Sequence, residues 1–181
     1  SLIDTKTFLV TVENINDAPT FTVAGKYSFG SEDQDVIFTI PVYEYVTDID
    51  HNVSAETLRF TMESGPNWMV MTPDGNLLGM ASNENVGVHT LVLNVTDSAG
   101  ASDTKTFTLT VNNVNDPPSL EEIPDASVNE EAAFSYQLTA NDIDLDVVEE
   151  TLTYEAVSAP SWMNVSSSGL ISGTPANEDV G

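Results

Sequence analysis

DTKTFLVTVENINDAPT, residues 4–20, returns as DTKTFTLTVNNVNDPPS at residues 103–119, so that Asp17 and Asp116 stand 99 residues apart. A second set of segments returns after 94 residues: DID (48–50 and 142–144), GPNWM and APSWM (65–69 and 159–163), GNLLG and GLISG (75–79 and 169–173), NENVG and NEDVG (83–87 and 177–181). The step from 99 to 94 corresponds to about five residues lost near the start of the later copy. Self-similarity at a fixed period is the mark of a repeat array, and the unit here is close to 100 residues. The spacing predicts a complete repeat over 21–117, the last strand and linker of a preceding repeat over 1–20, and a truncated repeat, lacking its last two strands, over 118–181. The opening SLIDTKTFLVTV starts in mid-strand, as expected of a slice from a longer protein.

Inside the repeat the pattern is that of strands. FLVTV (8–12) and FTLTV (107–111) put Phe, a branched aliphatic residue and Val on alternate positions, the period of a half-buried strand. HTLVLNV (89–95), DVIFTIPV (35–42), LRFTMES (58–64), FSYQLTA (134–140) and LTYEAVS (152–158) add β-branched and aromatic residues, which favour a pleated, half-buried surface. Pro, Gly, Asn and Asp clusters punctuate these runs, and no window carries helical periodicity. About seven short strands per 100 residues predict an all-β protein of tandem immunoglobulin- or cadherin-like Greek-key β-sandwiches.

Charge then narrows the partners. Lys6, Lys26, Arg59 and Lys105 face 29 acidic residues, a formal charge of -25. Nucleic acid is excluded, because phosphate binding needs clustered cations. An anionic membrane surface is excluded on the same ground, and no apolar run approaches the roughly 20 residues of a membrane span, so direct insertion is not expected. So much self-repulsion calls for salt, bound cations, or both. The chain has no cysteine, so any stabilisation outside the cell comes from something other than disulfides, and hard oxygen ligands are abundant.

Those ligands recur at fixed places. Each repeat ends in V-x-N-x-N-D before Pro: Val12, Asn14, Asn16, Asp17 and Pro19, then Val111, Asn113, Asn115, Asp116 and Pro117. Each starts with an acidic pair (Glu32 and Asp33; Glu130 and Glu131) and carries Asn-Glu before Val-Gly, at Glu84 and Glu178. Each has an Asp-Ile-Asp pair, Asp48/Asp50 and Asp142/Asp144, and the complete repeat adds Asp97. On an extended chain the two Asp of such a pair project to one side and can share a cation. Ca²⁺ takes about 6–8 oxygens in flexible geometry, whereas Mg²⁺ keeps several waters, so the set points to Ca²⁺.

The linker resembles the D-x-N-D-N-x-P junction of cadherins. The stretch from Pro160 to Pro175, P-x-W-M followed by G-x-L-x-G-T-P, is similar to the dystroglycan-type cadherin-like and immunoglobulin-type repeats of large bacterial surface and secreted proteins. The resemblance spans the whole chain. It implies Ca²⁺ between consecutive repeats and a role in adhesion, spacing or carbohydrate binding, at the cell surface or outside the cell. Carried over by position, it implies one junction built from Asn14, Asn16, Asp17, Asp48, Asp50 and Asp97, and a second from Glu32, Glu84, Asn113, Asn115, Asp116, Asp142 and Asp144. Two departures remove charge: Asn14 and Asn113 stand where cadherins have Asp, and Ser82 replaces an acid two residues before Glu84. Fewer or weaker ions per junction than in a full cadherin are therefore expected.

Other residues are assigned plainer roles. Trp68 and Trp162, set between a Pro and a turn, are expected in the core rather than on a sugar-stacking platform, and Met69, Met71 and Met163 are expected as core filler. A Ca²⁺-dependent carbohydrate-binding module is the rival function, marked by Trp68 or Trp162 exposed on one flat face with Tyr43 or Tyr45. Glu149 and Glu150 are weighed as a solvated surface, and the sequons at Asn52, Asn94 and Asn164 as chance matches. An enzyme is not expected: there is no Cys, the two histidines (His51, His89) do not recur, and acids placed once per repeat are not a dyad placed once in a cleft. The expected partners are neighbouring repeats, cell-surface polysaccharide, and other copies of the chain through strand complementation by residues 4–12.

Overall fold

The computed structural model describes residues 3–51 and 56–181 and divides into two compact units, Ser1–Asn112 and Asn113–Gly181. Among the described residues there are strands and short 3-10 turns but no α-helix.

In the first unit the strands are β1 (Thr20–Phe21), β2 (Tyr27–Asp33), β3 (Ile37–Pro41), β4 (Val46–Thr47), β5 (Arg59–Ser64), β6 (Met69–Met71), β7 (Asn76–Met80), β8 (Gly87–Thr96) and β9 (Ser102–Asn112). They form a four-stranded sheet in the order β2-β9-β8-β5, a three-stranded sheet β3-β7-β6, and the short pair β1-β4. β2 runs parallel to β9, and the other pairs are antiparallel. Alternation decides the core. Leu91, Leu93 and Val95 of β8 and Phe107, Leu109 and Val111 of β9 are at most 1% exposed, while Thr104, Thr106, Thr108 and Thr110 on the intervening positions are not buried. Phe38, Ile40, Met69 and Leu77 of the second sheet join the same cluster. Fully burying each such side chain stabilises the fold by about 1.5–3 kcal/mol. Phe107 is the hub, stacked on Phe29 (ring centroids 4.5 Å apart) and edge-on to Phe21 (5.3 Å).

Trp68 is half-buried and edge-on to Phe38, and Gly79 makes room for both rings: a Cβ there would lie 2.6 Å from Phe38 Cζ and 3.2 Å from Trp68 Cζ3. The G-x-L-x-G pattern is thus a packing requirement.

The second unit repeats part of this plan with β10 (Ser119–Leu120), β11 (Phe134–Gln137), β12 (Ala140–Asn141), β13 (Met163–Val165) and β14 (Leu170–Gly173). β10 pairs with β12 as β1 does with β4, and the sheet β11-β14-β13 matches β3-β7-β6. Phe134 faces Gly173 as Phe38 faces Gly79, and Trp162 is edge-on to Phe134. Asp35 (φ 58°) and Glu131 (φ 59°) occupy the same left-handed turn before these strands. Residues 121–129 and 151–156 lie in no strand. Their counterparts β2 and β5 are held by β9 and β8, and an extended chain is a stable strand only when its backbone groups find a neighbour.

Residues 4–12 differ from expectation in a similar way. They read as a strand, yet they lie in none, and Phe8, Val10 and Val12 are exposed (83%, 68% and 89%). β9, of nearly the same sequence, is held between β2 and β8, whereas no strand among the described residues pairs with 4–12.

Candidate metal centre

At the end of β4 the chain leaves the sheet through Asp48-Ile49-Asp50, and Glu56 lies just before β5. Asp48, Asp50 and Glu56 each offer a carboxylate oxygen to one group whose members lie within 4.8 Å of one another. The three are 9%, 3% and 6% exposed. Three carboxylates this close and this dry are costly unless hydrogen bonds or a cation compensate.

Hydrogen bonds compensate only in part. Asp48 Oδ1 accepts the Asp50 N–H at 2.8 Å, Asp50 Oδ2 accepts the Asp17 N–H at 2.6 Å, and Glu56 Oε1 accepts the Ser98 hydroxyl at 3.4 Å. Asp48 Oδ2 and Glu56 Oε2 are buried with no hydrogen-bond partner among the described residues. Burial, then the charges of Asp48, Asp97 and Asp50, push the Glu56 carboxyl above its ordinary 4.5. Asp97 goes the other way: the Asn16 amide, at 2.8 Å from Oδ2, and backbone N–H groups of Ala101, Gly100 and Ala99 hold it below 3.8 despite its burial. A cavity of about 560 Å³, lined by Tyr43, Asp48, His51, Glu56, Phe60 and Asp74, lies beside the group.

The second unit holds the same arrangement. Oxygens of Asp142, Asp144 and Glu150 lie within 4.8 Å of one another. Asp142 Oδ1 accepts the Asp144 N–H at 2.9 Å, and Asp144 Oδ2 accepts the Asp116 N–H at 2.6 Å. Asp144 is fully buried, and its Oδ1 and Glu150 Oε2 have no hydrogen-bond partner among the described residues.

Of the residues expected to ligate, Asn16, Asp17, Asp48, Asp50 and Asp97 come together in the first unit, while Asn14 is exposed. In the second unit Asp116, Asp142 and Asp144 come together; Asn113 is half-buried, and the Asn115 amide donates to the Asp116 carbonyl at 3.0 Å. Glu32, half-buried on β2, and Glu84, exposed in the turn Asn83–Asn85, belong to the first unit. The Asp pairs converge for a different reason than strand alternation. Each bends into a turn in which the first Asp accepts the N–H of the second, and Asp142 thereby caps the 3-10 turn Ile143–Asp146.

Glu56 and Glu150 stand outside the expected ligand set, and Glu150 is expected on a solvated surface. The signal was present: the two stand 94 residues apart, at the offset of the Asp pairs and tryptophans. Trp68 and Trp162 are half-buried against phenylalanines, and Tyr43 is half-exposed beside the cavity. Asn94 is half-buried on β8, with its amide donating to Thr104, and Asn164 is exposed; Asn52 lies outside the described residues. His89 packs edge-on to Trp68 and contacts the Asn85 carbonyl at 2.6 Å.

Carboxylates with an amide beside them are hard oxygen donors, and such a group could hold a metal ion. The fold and this duplicated acidic loop define a tandem immunoglobulin-like, cadherin-like β-sandwich repeat. The chain belongs to the family described as "Putative Ig domain", which it matches over residues 18–112 and again over 117–181. Among solved structures it is similar to protocadherin gammaB7 EC3-6 (16% identity, TM-score 0.59, covering 91% of this chain and 46% of that one). It is also similar to protocadherin gamma B2 extracellular cadherin domains 3-6 (17%, 0.54, 90% and 44%) and to the human desmocollin-1 ectodomain (17%, 0.51, 88% and 34%). An endo-fucoidan hydrolase of glycoside hydrolase family 107 matches at 20% identity and a TM-score of 0.46, over 91% of this chain and 25% of that one. The chain thus spans less than half the length of these solved chains. A search of curated proteins finds no match.

Proposed function

We propose that the chain is a Ca²⁺-rigidified extender or adhesion segment of an extracellular or cell-surface protein, without catalysis of its own. The observation that carries this is the pair of carboxylate groups, one in each unit (buried in the first, centred on the buried Asp144 in the second), with buried oxygens that have no hydrogen-bond partner among the described residues. A divalent cation supplies what those oxygens lack, and the excess of acid over base, -25 overall, disfavours the ion-free state. In the first unit Asp48 and Asp50, with Asn16, Asp17 and Asp97 beside them, would hold the ion. In the second, Asp142 and Asp144 would do so, with Asn113, Asn115 and Asp116 of the linker. Glu32 and Glu84 are proposed as the ligands that the complete repeat, 21–117, offers to the repeat beginning at 118.

The mechanism is electrostatic. Without the ion, clustered carboxylates repel and the Pro-containing linkers swivel. With it, the ordered linker is the form that binds, and mass action favours that form. Small-angle scattering with and without EGTA tests this: the maximum dimension and flexibility should change on chelation, and identical profiles would refute rigidification.

A further inference from the structure

We infer that each repeat carries a cation site of its own, completed by Glu56 in the first unit and Glu150 in the second, so that an ion binds one repeat before any neighbour contributes a ligand. This rests on the proposal above for the identity of the ion, and extends it to how the sites load. The cadherin resemblance draws its ligands from the linker, the Asp pair, a later Asp and the glutamates of the preceding repeat; Glu56 and Glu150 are in none of those places. This chain has also lost charge where the resemblance expects it, at Asn14, Asn113 and Ser82.

The geometry supplies the missing charge from within the repeat. Glu56 brings an oxygen within 4.8 Å of both Asp48 and Asp50, and Glu150 does the same for Asp142 and Asp144. Glu56 is 94% buried, and its Oε2 has no hydrogen-bond partner among the described residues, nor does Glu150 Oε2. Between the Asp pair and the glutamate the two units read HNVSA and LDVVE, alike only at Val53 and Val147, whereas the glutamate itself recurs.

Calorimetric Ca²⁺ titration of the full chain is the test, with Glu56→Gln, Glu150→Gln and the double variant beside Glu149→Gln. Each single Gln variant at 56 or 150 should lose one ion or bind it about tenfold or more weakly, since ligand charge tunes affinity in such sites. The double variant should lose both, while Glu149→Gln, next to Glu150 but outside the acidic group, should keep the wild-type number of ions. Unchanged isotherms for Glu56→Gln and Glu150→Gln, with far-UV circular dichroism showing them folded, would overturn the inference even if EGTA still alters scattering. Loss of ions in these variants while scattering ignores EGTA would leave the sites standing and refute rigidification. A wild-type chain that takes up no Ca²⁺ would end both.

Discussion

The backbone N–H of Asp17 donates to Oδ2 of Asp50 at 2.6 Å. The same bond recurs between Asp116 and Asp144, also at 2.6 Å. A hydrogen bond to an ionised carboxylate is short and roughly twice as strong as a neutral one, so each linker is tied by its main chain to the acidic loop it meets. The second Asp of each pair is therefore both a tether and a candidate ligand.

Those two duties separate by substitution. Asp50→Asn keeps an acceptor oxygen but removes the charge. It should leave the unfolding temperature in EGTA close to wild type and weaken the rise that Ca²⁺ produces. Asp50→Ala removes both, and should also lower the temperature in EGTA by an amount corresponding to about 1–3 kcal/mol, the cost of leaving a donor unmet. Scanning fluorimetry in EGTA and in Ca²⁺ reads both effects. Equal behaviour of the two variants would argue against the tether.

The acid dependence of the ion-free chain has two opposed contributions. Glu56 has its folded value raised above 4.5, so the folded chain binds more protons there, and stability is gained as pH falls through that raised value and lost as it rises. Asp97 has its folded value lowered below 3.8, so its contribution is present above 3.8 and disappears as pH falls through the lowered value. In EGTA the unfolding temperature should climb as pH falls through the raised Glu56 value, above 4.5, and fall again as pH drops below 3.8 toward the lowered Asp97 value. Glu56→Gln should raise the pH 7 value and flatten the upper limb. A wild-type temperature that rises steadily up to pH 7 in EGTA would contradict this.

Phe107→Ala tests the hub of the first unit. Phe107 is fully buried, with Phe29 stacked on it, and its truncation should cost about 3–5 kcal/mol. Thr108→Ala, on the outward face of the same strand, should cost under about 0.5 kcal/mol. Denaturant unfolding followed by Trp68 fluorescence measures both, and similar midpoints for the two variants would contradict the assigned core.

The segment 4–12 suits complementation of another copy. It shares seven of nine residues with 103–111, and Phe8, Val10 and Val12 are exposed where their counterparts are buried. The chain should self-associate with rising concentration in light scattering. Phe8→Asp or an added peptide of residues 4–12 should shift it to monomer. A wild-type chain monomeric at every concentration would rule complementation out.

Period and pattern were legible in the chain because they depend on close neighbours. FTLTV alternates whatever surrounds it, and its Phe107, Leu109 and Val111 are the buried set. The Trp-Gly pairing was legible as a motif, though its cause, two rings pressed against Gly79, is visible only in three dimensions. The Asp pairs were found and their geometry mistaken, since a side chain accepting its own loop's N–H leaves no periodic trace.

Repetition, strand alternation, the acidic excess and the recurring Asn, Asp and Glu positions were determined by the amino-acid order alone. Tertiary structure alone decided that Glu56 and Glu150 turn inward to the Asp pairs, that the Asp17 and Asp116 amides dock on Asp50 and Asp144, and that residues 4–12 go unpaired. The physical reason is range. Alternation is dictated residue by residue along the backbone, whereas convergence of carboxylates from separate loops, and the pairing of strands far apart in sequence, are settled only when distant parts of the chain are packed.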